Sequence, residues 1–176
     1  MITITIKNGV TPILQRLQHL GIDATPVMRA MGSTLLSITK GNFYAHGARY
    51  RPRPWPPKAD GKPSSLKKSH RLSASFKLAV GPHSATVSTD APYAAAHQFG
   101  AQTKPHTIRP KFGKAPAFTS TKFGHVVVSK VNHPGSRIPA RPFFPVINDA
   151  FTPAAEGLII RAGYRTMQRI LGVPIA

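Results

Sequence analysis

Eight histidines and five acidic residues are the groups in this chain best suited to chemistry. The histidines are His19, His46, His70, His83, His97, His106, His125 and His133. None of them form a His-x-x-x-His pair on a predicted helix, and the chain has no cysteine, so the donor spacing of a zinc site is missing. The acids Asp23, Asp60, Asp90, Asp149 and Glu156 stand singly, with none between Asp90 and Asp149 while that stretch holds eight Lys or Arg. Paired-carboxylate hydrolysis and magnesium binding need acids brought together, and this spacing does not bring them together. There is no Gly-x-Ser-x-Gly elbow, Walker loop or dinucleotide-binding glycine pattern. Gly113-Lys114 lacks both the earlier Gly and the following Ser or Thr of a phosphate loop. A Ser/His/acid triad needs no adjacency in sequence, but nothing nominates one. The chain reads as a non-enzyme, with no catalytic, cofactor-binding or metal residues.

The charge points elsewhere. Lys plus Arg is 24 against five acids, a formal +19 on 176 residues and 19.0 kDa. Such a surplus attracts polyanions, here DNA or acidic protein faces, with a solvated basic surface as the plain alternative. The basic-surface candidates are Arg49, Arg51 and Arg53 in one run and Lys67, Lys68 and Arg71 in another. Trp55 lies beside the first run. A tryptophan among cations suits stacking on single-stranded nucleic acid, but in a proline-rich loop it suits an anchor to its own domain better. No run of about 18 apolar residues is long enough to cross a membrane, and the N-terminus lacks the basic and apolar regions of a secretory signal. Cytoplasm, or a particle assembled there, is the expected location.

The elements that must position these residues make one domain over residues 1–176. Ile2, Ile4 and Ile6 alternate with Thr3 and Thr5, a half-buried strand. Thr11-Pro12 opens a helix with Ile13, Leu14, Leu17 and Leu20 on one side and Gly21 as its stop. Thr25-Pro26 repeats the device, with Thr25 as cap, and Val27, Met31, Leu35 and Ile38 follow at helical spacing. Gly32 and Gly41 leave the far end of this helix open. Five prolines make residues 49–64 an extended arm. Ser65 is placed to cap a short helix carrying Leu66, Leu72 and Phe76. Residues 77–80 and 85–89 form a hairpin around Gly81-Pro82. Tyr93–Phe99 is a short helix ended by Gly100. Residues 101–137 form a long hairpin or loop, with strands expected at 106–109, 116–119 and 125–131. A last helix begins at Thr152-Pro153 or nearer Ile147, ends at Gly172, and is expected to bury Phe151, Ala154, Leu158, Ala162, Thr166 and Ile170. The fold class is α+β: a curved, mostly antiparallel sheet of about four strands, with the N- and C-terminal helices packed on one face.

Five segments resemble blocks of a known family. Tyr93-Ala-Ala-Ala-His-Gln-Phe-Gly100 is similar to the YA-x-x-HQFG block of the phage virion-morphogenesis family, which includes tail-completion proteins of Mu-like phages. Ile138-Pro-Ala-Arg-Pro-Phe-Phe144 looks like its IPARPF block, which normally precedes the C-terminal helix. Residues 106–111 and 125–135 resemble the hairpin of related head–tail joining and minor tail proteins. Trp55-Pro-Pro matches the family's Trp-Pro loop. Residues 66–76 resemble its L-x-x-(S/T)-G-x-L element, except that His70 stands where Gly is usual, which weakens the expectation of a tight turn. The likeness covers essentially the whole chain.

From the blocks, Tyr93, His97, Gln98, Phe99, Gly100, Arg141, Pro142 and Phe143 are singled out with Trp55. They read either as a fold-holding corner, with His97 and Gln98 bridging to the start of the following loop, or as a subunit contact, where Arg and aromatics are enriched. The resemblance implies a minor virion protein of the tail or neck, assembled in the host cytoplasm. It would complete the head-proximal end of the tail and help join it to the head. The implied partners are copies of itself in a ring, tail tube or tail terminator and head–neck proteins, and DNA in a channel. The alternative is a basic nucleic-acid-binding module, which predicts steep salt dependence of DNA affinity but leaves the ordered blocks unexplained.

Overall fold

The computed structural model describes residues 1–6, 15, 19, 21–48, 50, 54–58, 60–109, 117–120 and 124–172. Most of the expected helix at 11–21 (all but residues 15, 19 and 21) and the candidates Arg49, Arg51 and Arg53 lie outside the described residues.

A three-stranded antiparallel sheet carries the core. Strand β1 (Ile2–Ile6) and β2 (Phe76–Val80) flank β3 (Ala85–Thr89). The register sets Ile4 and Leu78 opposite Val87, and Ile6 and Val80 opposite Ala85. The alternation therefore puts Ile2, Ile4, Ile6, Phe76, Leu78, Val80, Ala85 and Val87 on one face, since side chains alternate sides along a strand. On the other face the Thr5 and Thr86 hydroxyls meet at 3.0 Å.

Helix α1 (Thr25–Tyr44) lies on the apolar face. Gly32 is what lets it come close: a Cβ there would sit 2.7 Å from Leu78 Cδ1 and 2.8 Å from the Ala85 Cβ. The weak helix former is thus used for close packing, and the helix runs on through Gly41 to Tyr44. Its N-terminus is held differently from expectation. Thr25 is already helical, and Asp23 Oδ1 accepts both the Thr25 amide (2.9 Å) and its hydroxyl (2.7 Å). Those bonds hold the Asp23 carboxyl below its usual range.

Helix α2 (Arg71–Ala74) and α3 (Ala94–Phe99) are short, and α4 (Pro153–Leu171) closes the described chain. Helix α4 packs on α1. Its buried residues are Ala155, Ile159 and Gly163, one position round from the expected stripe, and Leu158 and Ile170 are exposed. The reason is Gly163, where a Cβ would lie 2.9 Å from Met31 Sδ and 3.6 Å from Val27 Cγ1. The two axes touch at the glycine, and the larger side chains flank the seam. Phe151 lies in a strand pair before α4, β10 (Val146–Ile147) with β11 (Ala150–Phe151).

The α+β class holds, but the sheet is not one curved sheet of four strands. The remaining strands pair among themselves as a ribbon. Strand β4 (Ala101–Gln102) pairs β9 (Arg137–Ile138), β5 (His106–Ile108) pairs β8 (Val131–His133), and β6 (Ala117–Ser120) pairs β7 (Gly124–Val127), all antiparallel. The single strand expected over 125–131 is broken by a bend at Ser129, and its halves face different partners. Each pair is nested within the next, so among the described residues none of these strands extends the main sheet. At the root of the ribbon the Thr103 amide donates to the Ser136 carbonyl (2.9 Å) and the Ser136 amide to the Thr103 hydroxyl (2.7 Å). Gly135, at φ +87°, lets the Thr103 carbonyl pass 2.3 Å from where a Cβ would be.

Candidate functional site

The two sequence blocks meet. Residues 141–144 run between α3, the end of α1 and the proline-rich loop, and side chains from all three bind their backbone. Gln98 Oε1 accepts the amides of Phe143 (3.0 Å) and Phe144 (3.2 Å). Trp55 Nε1 donates to the Pro142 carbonyl at 2.7 Å. Asn42 Nδ2 donates to the Phe143 carbonyl at 2.9 Å, and the Arg141 amide donates to the His97 carbonyl at 2.6 Å. A buried amide or carbonyl left unpaired costs roughly 1–3 kcal/mol, so this exchange makes an irregular segment compatible with the interior.

Arg141 uses its fork inside the molecule. Nε donates to the Pro56 carbonyl (3.1 Å) and Nη2 to the Pro57 carbonyl (2.9 Å). Arg141 and Trp55 therefore clamp the described part of the proline-rich loop from two sides. Gly47, at φ +81°, makes room for the Trp55 ring, which would lie 2.3 Å from a Cβ there. Trp55 is only 5% exposed and stacks edge-on with Phe43 at 5.6 Å. Phe43, Phe76, Phe143 and Phe144 complete an aromatic cluster with centroids 5.0–5.8 Å apart, and such pairs add about 0.5–1.5 kcal/mol each beyond burial.

Gln98 and His97 differ from expectation. The Gln98 side chain reaches residues 143 and 144 rather than the next loop, because α3 lies against that segment. His97 packs edge-on to Tyr93 at 5.9 Å. Its Nδ1 is buried without a hydrogen-bond partner among the described residues. Burial, then the Arg141 charge, hold its pKa below the ordinary value. Phe99 points away and is 71% exposed. Gly100, at φ +78°, turns the chain into β4, where a Cβ would lie 3.0 Å from the Ile138 carbonyl.

The second basic run borders this corner. The expected helix from Ser65 is confined to Arg71–Ala74, because Leu66 (φ +52°) and His70 (φ +56°) both adopt left-handed backbone. His70 thus makes the turn usually given to glycine. The loop borders an open cavity of about 500 Å³ that Lys58, Tyr93 and His97 also line. Lys67 Nζ lies 3.0 Å above the Tyr44 ring, and Lys68 and Arg71 are exposed. Among the described residues no cluster of His or acid side chains could hold a metal ion, and no helix is long and apolar enough to cross a membrane.

Sequence reasoning missed Asn42, Gly47 and Lys58. Asn42 carried a signal: it continues the buried stripe of Leu35 and Ile38, where a polar residue must find a partner. Gly47 and Lys58 carried none, since their importance depends on where the loop folds.

Residues 6–161 match the sequence model of the phage virion morphogenesis family. Mu-like prophage FluMu G protein 2 of Haemophilus influenzae is 34% identical over 102 residues, covering 57% of this chain and 71% of that protein. No solved structure matches the chain.

Proposed function

This chain belongs to the phage virion morphogenesis family, and on that premise we propose that it completes the head-proximal end of the tail and helps join tail to head, as a ring of identical subunits. The family match carries the reading. Its role is one of phage structure and assembly, and no step of it calls for catalysis. Two features support the finer assignment. The ribbon over 101–138 stands on a braced root and exposes Ile108 and Val127, which suits a limb that grips a neighbour. A ring forms when such a head-to-tail contact closes by rotation. The charge of +19 suits acidic faces of tail and neck partners, or DNA passing through the ring.

Molar mass by size exclusion with light scattering, after nuclease treatment and in low and high salt, tests the ring. A discrete oligomer that survives high salt is expected. A monomer carrying salt-reversible nucleic acid favours the DNA-binding alternative. In the phage, Lys67→Glu, Lys68→Glu and Arg71→Glu together are expected to leave tails and heads unjoined in electron micrographs. Normal infectious particles would count against the proposal.

A further inference from the structure

The cavity beside α3 collects charge with no counter-charge. Lys58, Lys67 and Lys68 line it, together with three serines. Among the described residues the ion pair found is Lys77–Asp90, at 2.8 Å, and neither residue lines the cavity. Asp60, the acid nearest in sequence, accepts the Lys62 amide at 3.0 Å within its own turn. The Lys67 ammonium sits at 3.0 Å over the Tyr44 ring, which is not part of the lining. This leaves Lys58 and Lys68 as the free cations of a lining that holds no acid; an anion placed between two such cations offsets their repulsion. The same lining is also apolar in part, with Leu66, buried Leu72 and Tyr93. His97 also lines the cavity and keeps a buried nitrogen without a partner among the described residues. The loop holds two non-glycine residues in left-handed backbone, Leu66 and His70, a conformation that persists where the surroundings over-determine it and that clusters at ligand clamps.

We propose that this cavity binds an acidic segment of a partner protein, its carboxylate between Lys58 and Lys68 and an adjoining apolar side chain against Leu66, Leu72 and Tyr93. This rests on the assembly reading and names the chemistry of the partner. A peptide fits better than DNA. Duplex binding is carried by many phosphate contacts over an extended basic surface, whereas this hollow offers two free lysines beside Leu66, Leu72 and Tyr93.

The test uses the full chain at 150 mM salt and three fluorescein-labelled probes: a decapeptide alternating Glu and Leu, its Gln analogue, and a 20-base-pair duplex. Anisotropy is expected to show the Glu peptide binding at least tenfold more tightly than the Gln analogue and more tightly than the duplex. The Lys58→Ala/Lys68→Ala variant is expected to lose about tenfold. Arg161→Ala/Arg165→Ala, which removes the same charge from α4, is expected to stay within about threefold, with both variants melting like the parent. Amide shifts on peptide addition should cluster at residues 64–72 and 93–97. Absence of Glu-peptide binding, preference for the duplex, or equal loss in the α4 variant overturns the inference. If that happens while particles still require the gene, the assembly reading stands alone. If particles form normally without the gene, both readings fall.

Discussion

Replacing Gln98 by Leu tests the central joint directly. Gln98 is buried, and its one carbonyl oxygen serves two amides, at 3.0 and 3.2 Å. Leucine keeps much of the volume and orphans both donors. At roughly 1–3 kcal/mol for each buried unpaired donor, and allowing some relaxation, the expected loss is about 3 kcal/mol. For a chain of this size about 1 kcal/mol shifts Tm by roughly 2–4 °C, so the drop is expected to be about 6–12 °C. Calorimetry or far-UV dichroism reads it. Gln98→Glu keeps an acceptor for both amides and should lose less than the leucine variant. Gln102→Leu, at an exposed position on β4, should stay within about 0.5 kcal/mol of the parent. A Gln98→Leu protein as stable as the Gln102→Leu control would refute the argument that this side chain ties the two blocks together.

Other expectations follow from the same geometry. Gly47→Ala places a methyl against the Trp55 ring at a left-handed φ; it should cost about 2–4 kcal/mol and shift the emission of the sole tryptophan to the red. His70→Gly relieves left-handed strain at φ +56° and should gain about 0.5–1 kcal/mol by urea melts. For His97 the folded pKa lies below the unfolded one, so the unfolded state takes up the proton first. Its contribution is therefore intact above about pH 6.5 and is lost as pH falls through the depressed folded value, where it levels off. His97→Phe should flatten that part of the stability–pH curve relative to the parent, and an unchanged slope would assign the pH dependence to other groups.

The sequence was most legible where a pattern is local. The β1 alternation, the 77–89 hairpin and the α1 stripe each follow from a period of 2 or 3.6, and packing agreed with it. It was least legible where two elements approach through a glycine. Gly163 turns α4 one position away from the face that side-chain size alone selects, because the partner's shape at Met31 decides. The count of strands in the sheet failed for a related reason: β4 to β9 are strand-forming like the sheet's own strands, and no local pattern says that they pair with each other. Of the corner, the residues were readable from the blocks and their partners were not. Gln98 to Phe143 spans 45 positions, and Arg141 to Pro56 spans 85, distances at which no spacing rule operates.

The ribbon leaves and re-enters the body at adjacent points, Ala101 opposite Ile138 and Gln102 opposite Arg137. A segment whose two feet are already joined is a topological side branch. Closing a loop costs only about 0.6 kcal/mol per doubling of its length, so a longer or shorter limb can be grafted on these feet with the body unaltered. Evolution and engineering can therefore treat the limb as an exchangeable fitting. Cutting out residues 103–136 and joining Gln102 to Arg137 through an Asn-Gly turn should give a body that folds and melts as before but no longer builds particles. Reach and stability would then be separate properties of one chain.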